Sequence, residues 1–381
     1  MNNDYINTKY DKIELKKNIV IYGTGTIAKK VYDVLTSKNY EIKYFLNRKG
    51  SYSNSIGNSI NLKYIDSLEI KEVDKTDITV IIAIFNRDVD IKKIIRYVKD
   101  IGYKDIVTFL DVFDLYSDEF CDNYWLNSRE KFIKDIDKIL EVEKLFKDKK
   151  SIEVYNSIVN FRVTRKYYDL IEQDRIEEQY FAKDIENLYR RNNIRFVDCG
   201  AFDGDTIQLL CNNFSNINAI AAFEPDLINY KNMLKNTKKL NSKILEFIAI
   251  PNGVYCNSQQ LKFSMNNSEG SNVSEEGTTI IQCVAIDECI RNFKPTHIKM
   301  DVEGCEYEGL LGAKETIMNN RPNLMICLYH RPEDLYTIPK LIESWNLGYK
   351  FYLRLYGNSG FELVLYCINE DQIVIDDCRM N

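Results

Sequence analysis

Residues 196–226 read FVDCGAFDGDTIQLLCNNFSNINAIAAFEPD, and their pattern decides the fold. The apolar run Arg195-Phe196-Val197 ends in Asp198, and a turn containing Gly200 and Gly204 follows. Apolar spacing over residues 206–213 predicts a helix, and a second apolar run, 219–223, ends in Glu224. Strand, turn, helix, strand is the opening of a doubly wound α/β sheet, which binds ligands at the carboxyl ends of its strands. Glycine at positions 200 and 204 lets the backbone turn tightly and approach a ligand.

The filling of the turn narrows the ligand. Asp-x-Gly-x-x-x-Gly is not the dinucleotide pattern Gly-x-Gly-x-x-Gly, so no pyrophosphate cradle is expected. Glu224 stands 24 residues beyond Gly200, where a carboxylate accepts both hydroxyls of a ribose. A ligand with an adenosine and no phosphates fits, and S-adenosylmethionine is the natural one. Asp198, Gly200, Asp203, Gly204, Thr206 and Glu224 are its candidate contacts. A structural βαβ unit with a solvated Glu is the plainer alternative.

Bulk properties bound the rest. A chain of 381 residues exceeds one ordinary core and predicts two domains. A net charge of −6 argues against nucleic acid as a partner, since phosphate neutralisation drives such binding. The first 18 residues are polar and mixed in charge, unlike a signal peptide, and no apolar run reaches a membrane-spanning length. The 10 Cys are scattered without Cys-x-x-Cys, which suits reduced thiols and a cytoplasmic protein. Only 2 His occur, His297 and His330, which excludes a His-rich metal site, and no metal is expected. Homo-oligomerisation is left open.

Before the central stretch, residues 1–115 alternate strands (19–22, 42–46, 78–84, 105–112) with helices (29–37, 89–101), a small Rossmann-like α/β domain. Gly23, Gly25 and Ala28 match Gly-x-Gly-x-x-Gly/Ala after the first strand. The second strand ends in Asn47-Arg48-Lys49, where an NAD site wants a carboxylate, so a 2′-phosphate, a sugar nucleotide or a mere packing turn all compete. Residues 116–193 read as a charged helical connector with solvent-facing charges, Arg162 among them. Its end, EEQYF, carries Tyr180 and Phe181.

After Glu224 a helix is predicted over 227–240 and a strand over 244–250, whose following loop brings Asn252 beside an adenine. Short β-like pieces flank the loop 266–277, read as a surface loop or lid and as part of the acceptor pocket. Strand 296–300 ends in Asp301-Val302-Glu303-Gly304, with a helix over 306–318 behind it and Lys299 on the same side as Asp301. Strand 323–329 ends in His330, and a helix over 334–345 precedes YKFYLRLY and FELVLYCI, an antiparallel hairpin around residues 357–360. Five parallel strands closed by such a hairpin predict the seven-stranded class I methyltransferase sheet, order 3-2-1-4-5-7-6.

FVDCGAFDGDTI, AFEPD, VAIDECI and above all IKMDVEGCEYEGLLGAKETIMNNRPNLMICLYH resemble the FkbM family of S-adenosylmethionine-dependent methyltransferases over roughly residues 150–370, counting EEQYF as a helix. The resemblance implies methyl transfer to a hydroxyl of a sugar, polyketide or related metabolite, often within glycan or surface-polymer pathways, with a small-molecule or glycan acceptor. Cys199 and Phe202 in the first turn, and LRLY near the end, depart from the family pattern. In-line methyl transfer needs alignment and a base. Asp301 is placed to orient donor or acceptor, Glu303 to bond the acceptor, and His330 to act as base through an ordinary imidazole pKa. N-methylation, a nucleotide-dependent enzyme centred on residues 23–28, and a non-catalytic module with the same fold are the competing readings.

Overall fold

The computed structural model describes residues 13–47, 64–66, 75–189, 193–240, 244–264, 272–273 and 279–370. Two compact units emerge. One comprises Met1–Asp137, Asn156–Glu172 and Gly357–Phe361, and the other Lys138–Tyr155, Gln173–Tyr356 and Glu362–Asn381.

The first unit holds β1 (Asn18–Tyr22), β2 (Glu41–Asn47), β3 (Tyr64–Asp66), β4 (Ile78–Ile82) and β5 (Asp105–Thr108), all parallel in the order β3-β2-β1-β4-β5. β4 is buried along its whole length, as strands of a parallel sheet covered on both faces are. α1 (Thr26–Ser37) follows the glycine turn, α2 (Ile91–Asp100) precedes β5, and Asn47 donates from its side chain to Thr24 Oγ1 at 3.2 Å, holding that turn. Arg48 and Lys49 lie outside the described residues.

The strand predicted over 105–112 stops at Thr108, and Phe109–Leu115 is helix α3. The Thr108 N–H and hydroxyl both donate to the Asp111 carboxylate, at 2.7 and 2.8 Å, a capping arrangement that β-branched and aromatic composition concealed. The connector supplies α4 (Arg129–Lys134), α5 (Ile136–Val142) and α6 (Lys149–Thr164). Arg162 corrects the solvent-facing expectation. It is 1% exposed, with its guanidinium carbon 4.9 Å from the Trp125 ring, because a flat guanidinium stacks on an indole.

The second unit carries the central stretch as β6 (Ile194–Cys199), α7 (Asp205–Asn213) and β7 (Ile217–Phe223), then α8 (Leu227–Thr237) and β8 (Ile244–Ile250). A small sheet follows, built from β9 (Gly253–Val254), β10 (Gln259–Ser264), β11 (Asn272–Val273) and β12 (Thr279–Val284) in the order β11-β10-β12-β9, and then the short helix α9 (Ile286–Cys289). Of the loop 266–277, only β11 is described. β13 (His297–Met300), β14 (Asn323–Cys327), β15 (Lys350–Leu355) and β16 (Leu363–Ile368) complete a seven-stranded sheet, order β8-β7-β6-β13-β14-β16-β15. β16 is antiparallel to both neighbours and the rest are parallel, the 3-2-1-4-5-7-6 arrangement.

Two helices differ from expectation. Residues 306–318 form α10 (Glu306–Leu311) and α11 (Lys314–Asn320). The break is possible because the Asp287 carboxylate accepts the N–H groups of Glu315 and Thr316, at 2.9 and 2.8 Å, in place of a preceding turn. EEQYF is not a helix. Its first two residues, Glu177 and Glu178, close a single 3₁₀ turn, Ile176–Glu178, and Tyr180 has φ +65°, which ends helical progression. The last described helix, α12 (Asp334–Ser344), packs against α10.

Candidate active site

The site grows from the point where chain connections leave β6 in opposite directions, towards β7 and towards β13. After Cys199 the chain turns at Gly200 (φ +80°), whose N–H, like that of Ala201, donates to Phe223 O at 3.0 and 2.9 Å. A Cβ at Gly200 would stand 1.9 Å from Asp301 O, so only glycine lets this turn close on the end of β13. Gly204 forms the N-cap of α7, and Thr206 is buried in that helix's first turn.

Strand register pairs Asp198 with Lys299. The ammonium donates to Gly200 O at 2.6 Å, lies 3.1 Å from Asp198 Oδ1, and sits 5.3 Å from the centre of the Tyr180 ring. Burial alone would neutralise Lys299, but Asp198, Asp301 and Asp205 outweigh it and raise its pKa. Burial pushes Asp198 up to about 6 despite the lysine, whose ammonium faces Oδ1, while Oδ2 accepts no hydrogen bond among the described residues.

Glu224, 6% exposed at the end of β7, accepts the N–H of Phe202 at 2.9 Å on one oxygen and that of Asp226 at 2.8 Å on the other. Each oxygen keeps a further lone pair, so two hydroxyl donors fit. Burial raises its pKa to about 7, against these two backbone donors. Asp203 is half-buried and tied to α8 by Asn236, which donates to Asp203 O at 2.9 Å. Asn252 lies two residues beyond Ile250, whose carbonyl accepts the Glu224 N–H at 3.1 Å, and its side-chain amide donates to Gln282 O at 3.3 Å in the small sheet.

Beyond Lys299 the carboxyl edge carries a cluster of carboxylates around one imidazole. Asp301 accepts the Tyr180 hydroxyl on Oδ2 at 2.9 Å and the Tyr329 hydroxyl on Oδ1 at 3.2 Å. His330, 3% exposed in its side chain, places Nε2 3.4 Å from Asp301 Oδ1 and 3.5 Å from Glu303 Oε2, and Nδ1 2.9 Å from Glu306 Oε1. Burial opposes a charged imidazole, but Glu306, Glu303 and Asp301 together raise its pKa to about 10. His330 is therefore a cation at neutrality, not the ordinary imidazole that its sequence position suggested.

The two exposed-edge carboxylates are driven apart. Burial would raise Asp301, but Lys299, His330 and Tyr180 overcome it and hold it below its usual range. Burial raises Glu303 to about 7, with Asp301, Glu306 and Glu362 adding to the effect and His330 opposing it. Glu303 has φ +54° and a side chain 37% exposed, so it reaches solvent where Asp301 is more enclosed.

Asp301, Glu306 and His330 bring one ligand-type atom each within 4.8 Å of one another. Glu306, however, accepts the N–H of Val302 at 2.7 Å and of Gly304 at 3.1 Å, one on each oxygen, besides facing His330. The trio forms a charge network at the loop that follows β13.

Sequence reasoning passed over Glu306, Tyr329 and Glu362. Glu306 had a readable signal, an acid in the first turn of a helix that follows a strand end. Tyr329 had only adjacency to His330. Glu362, 2% exposed, has no local signal at all.

Residues 198–351 match the family model described as the methyltransferase FkbM domain. Among solved structures the chain is similar to a methyltransferase FkbM from Methylobacillus flagellatus, with a TM-score of 0.73 and 20% sequence identity over 93% of this chain and 90% of that one. Weaker likenesses include fibrillarin from Aeropyrum pernix with natively bound S-adenosyl-L-methionine, TM-score 0.29, at 10% identity over 47% of this chain and 67% of that one. Another is precorrin-6y C5,15-methyltransferase from Geobacter metallireducens, TM-score 0.29, at 10% identity over 46% of this chain and 80% of that one. No curated protein matches the chain in sequence.

Proposed function

We propose, from the premise that residues 198–351 form an FkbM domain and that the chain is an S-adenosylmethionine-dependent methyltransferase, that it O-methylates a hydroxyl of a sugar, glycan or glycan precursor. The observation that carries the mechanism is the pair of carboxylates facing one imidazole, Asp301 at 3.4 Å and the more exposed Glu303 at 3.5 Å from His330 Nε2, with the Asp301 pKa lowered and that of Glu303 raised. Groups whose surroundings drive their pKa values apart divide the acid–base work between them.

S-adenosylmethionine, when bound, supplies an electrophilic methyl group on a cationic sulfur. Glu224 accepts the ribose hydroxyls on its two remaining lone pairs, and Gly200 lets the backbone close under the ligand. Asp198, whose Oδ2 has no partner among the described residues, would take a polar hydrogen at the crevice floor, and Asp203 and Thr206 border the same turn. Asp301 stays ionised, favours the sulfonium, and orients the acceptor hydroxyl. Glu303, half-exposed, would accept the proton of the acceptor hydroxyl and pass it to solvent, while the bound donor would supply the methyl group. The His330 cation keeps the two carboxylates from repelling one another. Proton acceptance thus passes from His330 to Glu303 in this reading, and a hydroxyl acceptor is what the FkbM resemblance implies. Among the described residues no helix is long and apolar enough to cross a membrane.

The test is a screen of neutral sugars and sugar nucleotides with labelled S-adenosylmethionine, wild type against Glu303→Gln. A methyl ether as product, with turnover about 10²–10⁴-fold slower in the variant and donor binding retained, supports the assignment. A methylamine product, or a variant as fast as wild type, overturns it.

A further inference from the structure

Tyr180 lies outside residues 198–351, in a segment that precedes β6, yet its hydroxyl reaches the centre of the site. We propose that Tyr180 is a positioning residue for the methyl donor, the last member of a one-way hydrogen-bond relay, Gln179 to Tyr180 to Asp301, that fixes the Asp301 carboxylate against the donor sulfur. The inference rests on the reading above that the donor lies at Asp301.

The direction of the relay follows from chemistry. Gln179 Nε2 stands 2.5 Å from Glu362 Oε2 and 3.1 Å from the Tyr180 hydroxyl. A carboxylate only accepts, so the amide nitrogen, not its oxygen, faces Glu362, and that nitrogen only donates. The Tyr180 oxygen therefore accepts from Gln179, and its one hydrogen is directed to Asp301 Oδ2 at 2.9 Å, with Cys327 Sγ also close at 3.3 Å. Burial, reinforced by Asp301, raises the Tyr180 pKa well above its ordinary value, so the hydroxyl keeps that hydrogen.

The backbone is shaped for the purpose. Tyr180 takes a left-handed conformation, φ +65°, unusual for an aromatic residue and indicative of strain held by surrounding contacts. Its N–H donates to the Tyr366 hydroxyl at 3.1 Å, which in turn bonds the Tyr356 hydroxyl at 2.7 Å, so the segment is pinned to β16 and the end of the strand before it. Its ring lies over the Lys299 ammonium, 5.3 Å away. One residue thus meets both charges that flank the donor crevice, Lys299 through its face and Asp301 through its hydroxyl.

The experiment compares S-adenosylmethionine, a cation at sulfur, with neutral S-adenosylhomocysteine as calorimetric probes of the full chain. Tyr180→Phe keeps the ring and removes the hydroxyl. We expect S-adenosylmethionine affinity to fall about 10-fold, as one hydrogen bond to a charged group is lost, with S-adenosylhomocysteine within about 2-fold of wild type. General damage to the pocket would weaken both alike. Gln179→Met, which leaves Tyr180 intact but unoriented, should move the same ratio in the same direction by less, and it decides the matter if Tyr180→Phe does not fold. Equal weakening of the two probes, or an unchanged ratio in both variants, overturns the relay. Wild-type protein that binds neither probe contradicts the proposed function itself, which separates the two failures.

Discussion

His330 offers the sharpest quantitative prediction, because the chain has only 2 histidines and NMR reads the imidazoles almost without overlap. The ring is buried among Glu306, Glu303 and Asp301, which raise its pKa from 6.5 to about 10 against the penalty of burial. That interval corresponds to roughly 5 kcal/mol in favour of the imidazolium. Glu303 is partly open to solvent, which screens its share, so about 2–4 kcal/mol of folding stability is the reasonable expectation. The folded value lies above the ordinary one. The stabilisation is therefore complete below about pH 6.5, declines above it, and is lost as pH rises through about 10. In the wild type the His330 carbon and proton signals should show no transition between pH 6 and about 8.5. His330→Gln, which identifies the signal by its disappearance, leaves three carboxylates without their cation. Its unfolding midpoint should fall by on the order of 10 °C at pH 6.5, with a smaller drop at pH 9, where the contribution of the imidazolium is already declining. A His330 signal that titrates between pH 6 and 7, with no loss of stability in the variant, would refute the reasoning.

Two further outcomes follow from the same geometry. Gly200→Ala should lose donor binding and unfold at lower temperature. Its Cβ would stand 1.9 Å from Asp301 O at a residue of φ +80°, so the turn must move off β13, at a cost of more than about 1–2 kcal/mol. Binding and melting unchanged from wild type would contradict the close approach. Turnover with a saturating acceptor should rise with pH through about 7 as Glu303 ionises, and Glu303→Gln should flatten that limb; a limb that survives the substitution assigns it to another group.

Much of this architecture was legible in residue order. The runs ending in Asp198, Glu224, Asp301 and His330 marked the strand ends of a parallel sheet, and YKFYLRLY with FELVLYCI marked the antiparallel closure, because each signal is local. What escaped was decided elsewhere in the chain. Thr108 and Asp111 turned an apparent strand into a helix through side-chain capping, and Asp287 supplied a cap to α11 from 28 residues away. The protonation state of His330 depended on Glu306, whose spacing was visible, and on burial, which was not. Tyr180 read as part of a helix, yet a left-handed turn carries its hydroxyl to Asp301, 121 residues further on. Spacing within a strand or helix reveals a face; it does not reveal which distant side chain completes it.

The central claim is that the crevice between β6 and β13 binds S-adenosylmethionine through Glu224, and calorimetric titration of that donor tests it most directly. The account predicts saturable binding at one site per chain, tighter at pH 8 than at pH 6 because Glu224 must ionise through about 7. Glu224→Ala should weaken it on the order of 100-fold, the loss of two hydrogen bonds to a charged acceptor. Folded wild-type protein that does not take up the donor, or a variant that binds it as well as wild type, would contradict the account.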